Sequence, residues 1–313
     1  MILIKQYKLK IGHLSTIYHT NFILMENEDF MNDIKQDINW ILFGTGPEMV
    51  HAFKRRELDI GYMGLPPAII GIDCGVPIKC VAGGHVEGTI MVAKKDYKHI
   101  KSLNNDIYNV LKQFRKKSIG VTSKGSIHEV ILNYYLEKFN LVDEITIKNY
   151  EQAEFIAKDM KDGILEAGVG TPALAVFAST LLDTHLVIEA KDLWSNNPSY
   201  GIFINNKFIQ SESNLVLKFL YHHKNASNLL RNSPIVAAEK IAKTFGIIDK
   251  DYASSVLKIS PKYCISLSEG YIEATMRFVK TLYKLKYINQ KLKIEDIFDF
   301  QFINQIHPEP AHY

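Results

Sequence analysis

The chain has 313 residues, and its 37 Lys and Arg against 34 Asp and Glu leave a net charge of +3. Such an even balance argues against a nucleic-acid-binding protein, which presents a strongly basic face. A hydrophobic content of 47% with 23% charged residues excludes disorder over most of the length. No apolar run reaches the ~18 residues of a transmembrane helix, so we expect no membrane span.

The start of the chain, MILIKQYKLKIGHL, lacks the basic head, long apolar stretch and small-residue cleavage site of a secretion signal. As written, the protein is expected in the cytoplasm; if a signal has been removed, it is extracytoplasmic. The three cysteines, Cys74, Cys80 and Cys264, have no metal-binding spacing. They are interpreted as free buried thiols in a reducing compartment.

The first third of the chain alternates strand and helix patterns. Apolar alternation predicts strands at 7–14, 38–43, 58–63, 76–83 and 88–95. Helical patterns lie between them, including residues 67–74. This rhythm is typical of an α/β layer with a mostly parallel sheet.

A second α/β series follows a polar helical stretch at 96–117, where the composition shifts. Strands are predicted at 117–123, 144–150, 164–170, 185–190 and 199–209. Helices are predicted at 126–140, 152–160 and 171–180, and residues from about 213 to 295 are predicted to form a series of separate helices.

Five predicted strands end in small polar residues just before a helix. These loops are 12–16, 44–47, 64–67, 122–126 and 168–172. Open α/β sheets bind ligands at this end of their strands, where helix N-termini also favour anionic groups. One loop alone indicates no more than a helix cap. Five loops divided between two series favour a ligand cleft between lobes.

Generic catalytic motifs are absent from the sequence. There is no G-x-S-x-G, H-E-x-x-H or Walker A pattern. Gly168-x-Gly170 lacks a third glycine and is followed by Pro172, which argues against a nicotinamide site. No residue set resembles a nucleophile with its base, so we expect no cofactor and no catalytic residue.

Several segments together resemble the substrate-binding proteins of nitrate, sulfonate and taurine ABC importers, with their pyrimidine-precursor-binding and pyrimidine-synthase relatives. They are FGTGPEMVHAFKRRELDIGYMGLPPAIIGIDCGVPIKCVAG (43–83), GVTSKGSIHEVILNYYLEKF (120–139), YGIFINNKFI (200–209) and the tail 271–303 with its EDIFD motif. The resemblance implies a type II periplasmic-binding-protein fold. Residues 1–93 and 201–313 would form lobe one, residues 94–200 would form lobe two, and the ligand cleft would lie between them.

The resemblance also implies where the ligand is bound. It places contacts at Ser15, Thr16, Thr45, Gly46, Gly64, Leu65, Ser123, Lys124, Gly125, Ser126, Gly170 and Thr171. The residues themselves add polar side chains near the predicted cleft loops, namely His13, His85, Glu87, His128 and Glu166. Tyr62 and Tyr200 stand beside glycines at strand ends, where they can stack on a ring.

The cleft histidines allow two interpretations. Together with His19 and the carboxylates they could form a transition-metal site. In a chain with 11 histidines we favour separate hydrogen-bonded side chains, and therefore no metal. His307, Glu309 and His312 could also bind a metal, but a solvated C terminus is favoured.

The function that the sequence favours is capture of a small molecule by hinge closure, with an ABC permease and ATPase as partners. With only 5 Arg in the chain, the ligand is a sulfonate-like oxyanion or a small heterocycle. The alternatives are a cytoplasmic enzyme of cofactor biosynthesis and a carrier that presents a ligand to a partner. The cysteine-rich motif and the Lys-x-x-x-His pair of the pyrimidine synthases are absent here, which argues against that reaction.

Overall fold

The computed structural model describes residues 8–313. Residues 1–7 lie outside the described residues. They include the start of the predicted first lobe and the first residue of the strand predicted at 7–14. The strands are β1 (Leu9–His13), β2 (Ile38–Leu42), β3 (Ile60–Met63), β4 (Ile78–Val86), β5 (Ile90–Lys94), β6 (Lys117–Thr122), β7 (Ile145–Tyr150), β8 (Ala167–Gly170), β9 (Thr184–Ile188) and β10 (Pro198–Asn205).

Helices connect the strands and form most of the C-terminal third. They are α1 (Asn21–Leu24), α2 (Glu28–Ile34), α3 (Gly46–Lys54), α4 (Leu65–Asp73), α5 (Ile107–Lys112), α6 (Ile127–Lys138), α7 (Ala153–Lys161), α8 (Pro172–Leu181), α9 (Ala190–Leu193), α10 (Asn206–Ser211), α11 (Ser213–Asn232), α12 (Pro234–Phe245), α13 (Lys250–Ile259), α14 (Glu269–Lys284), α15 (Ile294–Ile297) and α16 (Ile303–Ile306). A 3-10 turn at Ile100–Leu103 precedes α5.

The strands form two five-stranded sheets of matching design. The first has the order β2-β1-β3-β10-β4 and the second the order β7-β6-β8-β5-β9. Strand β10 runs antiparallel to both neighbours, as does β5 in the second sheet. The other pairs are parallel. Each sheet is thus mostly parallel with one reversed strand, which confirms the predicted α/β, two-lobed type II periplasmic-binding-protein fold.

The two reversed strands carry the connections between the sheets. Strand β4 ends at Val86, and β5 begins at Ile90 opposite Gly170, the last residue of β8. On the return, β10 enters the first sheet at Pro198, opposite Val86. Both connections therefore join the carboxyl edges of the parallel strands, and these two edges define the cleft between lobe one and lobe two.

The predicted boundary between 93 and 94 falls too late in the chain. Residues 90–93 belong to β5, which pairs with β8 and β9 in the second sheet. The return also comes slightly earlier than predicted, at Pro198 rather than 201. The composition shift used for the prediction marks the polar segment after β5. An apolar strand such as β5 fits a central position in either sheet, so its pattern does not name its partner.

Central strands are buried on both faces. All eight residues of β10 and all four of β3 are buried, which requires helices on either side of the first sheet. Burying each large aliphatic side chain contributes about 1.5–3 kcal/mol, so these strands anchor lobe one. By contrast β2, at the edge, exposes Leu42.

Besides the two chain connections, the C-terminal region makes contacts with both lobes. Residues 260–267 run beside β4, where Gly83 N–H donates to the Ile265 carbonyl (2.8 Å) and Val86 N–H to the Lys262 carbonyl (3.2 Å). The preceding helix α13 packs on α8 of lobe two, and Tyr252 Oη donates to the Ala173 carbonyl (3.3 Å). Helix α12 packs instead on α1 of lobe one.

Some predicted elements need correction. The strand predicted at 199–209 stops at Asn205, whose side chain accepts from Lys207 N–H and caps α10. The segment 96–117 contains only a 3-10 turn and the short helix α5. Helices α1 and α2, between β1 and β2, were not predicted. In the described part of the chain, no helix is long and apolar enough to cross a membrane.

Candidate functional site

A group of aromatic and histidine side chains fills the cleft edge of the first sheet. We call it the aromatic–histidine cluster, and each member is at most 4% exposed. Its members are Tyr18, His19, Tyr62, His85, Tyr200, His223 and Tyr263.

Neighbouring strands and one loop build the first half of the cluster. Tyr62 of β3 and Tyr200 of β10 stack with ring centroids 5.9 Å apart. The His19 ring, on the loop after β1, lies 4.1 Å from Tyr200 and 5.8 Å from Tyr62. A glycine makes room for this arrangement, because a Cβ at Gly84 would lie 2.1 Å from Cζ of Tyr200.

The second half of the cluster lies at the connection between the lobes. Tyr18 stacks on His85 with centroids 4.5 Å apart, and Tyr263 lies 4.9 Å from His85 on another side. Gly88, on the connection to β5, lies close to Tyr18: a Cβ there would be 2.8 Å from the Tyr18 hydroxyl. The cluster therefore reaches from the interior of lobe one to the hinge.

Hydrogen bonds fix the tautomers of two cluster histidines. His223 Nε2 donates to the Gly83 carbonyl (2.8 Å), which leaves Nδ1 to accept from the Thr20 hydroxyl (2.6 Å). His85 Nε2 donates to the Ser260 carbonyl (2.6 Å), which leaves Nδ1 to accept from the Ser199 hydroxyl (2.8 Å). Both rings are satisfied in the neutral form.

Burial keeps the cleft histidines uncharged at neutral pH. Loss of solvation lowers the pKa of His85 to about 4, although the Ser260 carbonyl opposes the shift. The same cause lowers the pKa of His223 and of His128 to about 4. For His19, burial and then the neighbouring histidines hold the pKa well below its usual range. The cluster thus offers polar groups but no positive charge.

Three buried polar atoms of the cluster have no hydrogen-bond partner among the described residues. They are Nδ1 of His19 and the hydroxyl oxygens of Tyr200 and Tyr263. An unpaired polar atom in a protein interior costs about 1–3 kcal/mol, so such atoms are rare and point to a missing partner. Here they lie within an aromatic site at the ligand-binding edge of the sheet.

Lobe two presents a smaller polar edge. His128, in the first turn of α6, lies with Nδ1 3.1 Å from the hydroxyl of Thr89 at the start of β5. The Ser126 side chain caps the helix by accepting from Glu129 N–H (3.3 Å). Both features place side chains at the carboxyl ends of β6 and β8, facing lobe one.

The helix N-termini at the cleft are poor anion sites. Helix α4 begins Leu65-Pro66-Pro67, and Pro also occupies the first turn of α3 and α8, which removes N–H donors. At α3 the Glu48 carboxylate accepts from Gly44 and Thr45 N–H. The prolines lack backbone N–H groups, and the Glu48 carboxylate already accepts from two others. Few backbone donors are therefore left for an oxyanion at these helix starts.

A polar contact joins the two lobes beside the cleft. Tyr287, which follows α14 on lobe one, donates its hydroxyl proton to Glu129 of α6 (2.6 Å). The ammonium of Lys124 lies 5.9 Å from the Tyr287 ring centroid. Near by, Gly125 approaches Ile70 of α4, where an added Cβ would lie 3.3 Å from Cδ1. We call the Tyr287–Glu129 contact the lobe latch.

Comparison with known proteins adds a family to this geometry. A model of the NMT1-like family matches residues 4–246, well over half of the chain. The chain belongs to the NMT1-like family. The matched part includes both sheets and the start of the C-terminal helices, whereas residues 247–313 lie beyond it. A comparison with curated protein sequences gave no match.

Solved structures share the fold of this NMT1-like protein at low sequence identity. The periplasmic aliphatic sulphonate-binding protein SsuA from Escherichia coli is 15% identical with a TM-score of 0.77, covering 93% of this chain and 92% of its own. A ligand-binding component of an ABC-type import system from Staphylococcus aureus, with zinc bound, is 12% identical with a TM-score of 0.79, covering 97% and 100%. The periplasmic nitrate-binding protein NrtA from Synechocystis is 10% identical with a TM-score of 0.76, covering 97% and 89%.

Most site residues predicted for this NMT1-like protein lie on the cleft edges. In lobe one, Tyr62, Tyr200 and His85 join the cluster, and His13 ends β1 beside Phe22 and Trp40. The other predicted residues at strand ends or helix starts are Ser15, Thr16, Thr45, Gly46, Gly64 and Leu65 in lobe one and Ser123, Lys124, Gly125, Ser126, His128, Gly170 and Thr171 in lobe two.

Two of the predicted site residues, Glu166 and Glu87, form ion pairs with lysines. Glu166 precedes β8, at the strand end away from the cleft, and pairs with Lys94 (3.2 Å) and the Tyr97 hydroxyl (3.1 Å). Its assignment to the site is wrong, because only the other end of β8 faces lobe one. Glu87 is buried at the hinge, where Lys262 Nζ lies 2.9 Å away and Asn196 N–H donates to it (3.1 Å).

Sequence reasoning missed part of the cluster in this NMT1-like protein. Tyr18 and Thr20 flank His19 in the loop after β1, and this dense run of polar and aromatic residues is a signal that could have been used. His223 and Tyr263 come from α11 and residues 260–267, far along the chain. No local pattern marks them as cleft residues.

Proposed function

We propose that this protein is the substrate-binding component of an ABC importer and closes its two lobes on a small neutral heterocycle. The observation that carries the proposal is the aromatic–histidine cluster with three unpaired polar atoms, at the carboxyl edges of two hinged sheets. Ligands bind at this edge in open α/β sheets, and two-lobed proteins close around them.

The charge of the site favours a neutral ring over a sulfonate-like anion. Burial holds His19, His85 and His223 in the neutral form, so an anion would meet no positive partner in the cluster. The prolines and Glu48 reduce the supply of backbone donors near by. A planar heterocycle instead gains from stacking on Tyr62 or Tyr200 and from a donor to His19 Nδ1.

The proposed mechanism is closure about the two connections near Val86–Ile90 and Pro198. The ligand is held first by the aromatic–histidine cluster on lobe one. Lobe two then brings His128 and Ser126 toward it, and the lobe latch forms between Tyr287 and Glu129. Closure removes the ligand from water and so strengthens each of its polar contacts.

The proposal also concerns partners and place of action. The structural neighbours include a sulphonate-binding and a nitrate-binding protein that are both periplasmic. We infer by analogy that this protein acts outside the cytoplasmic membrane and delivers its ligand to an ABC permease with its ATPase. The analogy rests on fold, and the ligand is argued from the site itself.

One contact favours a second candidate, a hydrolytic enzyme. The Ser199 hydroxyl donates to His85 Nδ1 (2.8 Å), while His85 Nε2 donates to a carbonyl, which is the arrangement of a nucleophile with an oriented base. The low pKa of His85, about 4, makes it a weak base, and both residues are buried at the hinge. Binding without turnover is therefore the preferred function.

The deciding experiment is native mass spectrometry of the full chain as purified, followed by release of any bound molecule under denaturing conditions. A retained neutral heterocycle at one per chain supports the proposal. Retention of a sulfonate or another anion contradicts the ligand class while leaving the binding function intact. A purified protein with nothing bound is then titrated calorimetrically with neutral pyrimidines and with methanesulfonate and nitrate as anionic comparators.

Turnover is tested on the same samples. The heterocycle that binds is incubated with the protein and recovered for mass analysis. Recovery of an unchanged molecule supports a binding protein. Conversion that is lost in the Ser199→Ala variant would establish the hydrolytic alternative.

A further inference from the structure

A second cluster of potential ligand atoms lies at the C terminus, apart from the cleft residues. Cys264 follows Tyr263 in residues 260–267, whereas His307 and His312 come from the end of the chain. Cys264 Sγ lies 3.3 Å from His307 Nε2 and 3.3 Å from His312 Nδ1, and the two nitrogens are 3.3 Å apart. One sulfur and two imidazole nitrogens thus form a nearly equilateral triangle.

This triangle matches one face of a coordination tetrahedron. Around Zn²⁺, bonds of about 2.0–2.1 Å to nitrogen and about 2.3 Å to sulfur place ligand atoms roughly 3.3–3.6 Å from one another. The three ligand residues differ in exposure. Cys264 and His307 are buried and His312 is exposed, so a cation can enter from the solvent side.

One carboxylate lies close enough to supply a fourth ligand. Glu309 places Oε1 3.8 Å from His307 Nε2, within reach of a shared cation. Two neighbouring basic side chains already have partners: Lys224 contacts Glu309 (2.5 Å), and Arg231 donates to the Tyr263 carbonyl (3.2 Å). A thiolate and two neutral imidazoles form a donor set that suits borderline-soft divalent cations.

We propose that Cys264, His307 and His312 bind one zinc-class divalent cation, with Glu309 or water as the fourth ligand. The cation fixes the C-terminal tail to residues 260–267, which in turn pair with β4 at the hinge. The tail is already close to this segment, because the Tyr313 and Ser268 hydroxyls lie 3.3 Å apart. The site is therefore a structural clamp and takes no part in holding the cleft ligand.

The test uses the full chain after treatment with a chelator. Zn²⁺ is added in a calorimetric titration with metal analysis of the product, and Co²⁺ serves as a spectroscopic probe of the thiolate. We expect one cation per chain, a higher melting temperature with Zn²⁺, and a cobalt–thiolate charge-transfer band. Absence of stoichiometric binding, or a cobalt spectrum without this band, overturns the proposal.

Variants separate the cluster from other thiols and imidazoles. Cys264→Ser should abolish the cobalt–thiolate band, and His312→Ala should lower the Zn²⁺ affinity at least tenfold and remove the gain in melting temperature. Because His312 is exposed, its variant keeps the test valid even if the buried Cys264 variant folds poorly. The matched controls are Cys74→Ser and His51→Ala, at exposed positions elsewhere on lobe one. Unchanged metal binding in His312→Ala would contradict the assignment.

Discussion

At the scale of single residues, His19 and His223 make opposite contributions within one cluster. His223 uses both nitrogens in hydrogen bonds, to Thr20 and to Gly83, whereas Nδ1 of His19 is buried without a partner. The first arrangement stabilises the folded protein, and the second costs free energy that a hydrogen-bonding ligand would recover. Proteins often hold such costs at functional sites.

Replacement of each ring by Phe tests this contrast, since both substitutions add the same volume. His223→Phe leaves two buried partners unpaired, whereas His19→Phe removes an unpaired atom. We expect His19→Phe to be the more stable variant by about 2 kcal/mol and to bind the proposed heterocyclic ligand at least tenfold more weakly than the parent. Urea unfolding and calorimetric titration measure the two effects. Equal stability of the two variants would show that His19 has a partner.

The buried histidines also make stability depend on pH. The pKa of His85, His128 and His223 is about 4 in the folded protein and about 6.5 when unfolded, so the unfolded chain binds more protons between these values. Stability is therefore complete above about pH 6.5 and is lost as the pH falls toward 4. At pH 5 each histidine should cost about 2 kcal/mol.

Urea unfolding across this range measures the slope. His128→Gln should reduce it by about one proton. A free energy of unfolding that is constant from pH 7 to pH 5 would contradict the neutral buried state.

Residue identity at the site was partly predictable from sequence. Tyr62 and Tyr200 could be found because each stands at a strand end beside glycine, and strand ends are local features. His223 and Tyr263 could not, since α11 and residues 260–267 reach the cluster only after the whole chain has folded. Glu166 was misplaced although it lies near the start of the strand predicted at 164–170, and the preference of ligands for the carboxyl ends of strands already argues against it.

At the scale of elements, helix caps at the cleft have two separable roles. Ser126 caps α6 on the cleft edge, and Ser268 caps α14 away from it, each by accepting one backbone N–H. Replacing either with Ala should cost about 1 kcal/mol of stability. Only Ser126→Ala should also weaken ligand binding, by about three- to tenfold. Thermal unfolding and titration of both variants check this, and equal affinities would exclude Ser126 from the site.

Element boundaries were predictable where local chemistry sets them. The loop Thr45-Gly46-Pro47 signals the start of α3, which the Thr45–Glu48 capping box confirms. The sheet to which a strand belongs is set by distant pairing. For this reason β5 was placed on the wrong side of the lobe boundary, although its position in the sequence was nearly correct.

At the scale of the whole molecule, the lobe latch should bias the opening equilibrium. Tyr287→Phe removes the hydroxyl that donates to Glu129 and leaves the ring beside Lys124. Glu129 is buried, and a hydrogen bond to such a charged group contributes about 1.5 kcal/mol, so ligand affinity should fall about tenfold as the open form gains population. Small-angle X-ray scattering without ligand should show a larger radius of gyration.

The matched control for the latch is Tyr283→Phe. Tyr283 is 43% exposed and contacts Lys291 through its ring alone. Its variant should keep the parent affinity and dimensions. A Tyr287→Phe variant that behaves like this control would show that the latch does not influence closure.

The path of the chain through the two sheets also sets the order in which they can be made during synthesis. Strands β5 to β9 of the second sheet are consecutive, so that sheet is complete once residue 188 has left the ribosome. The first sheet lacks β10 until later, and its β4 gains a bridge between Cys80 and Phe298 only near the end. Domains tend to fold as units while they emerge. Lobe two can therefore fold first, while the early strands of lobe one keep an unpaired edge until β10 has been synthesised.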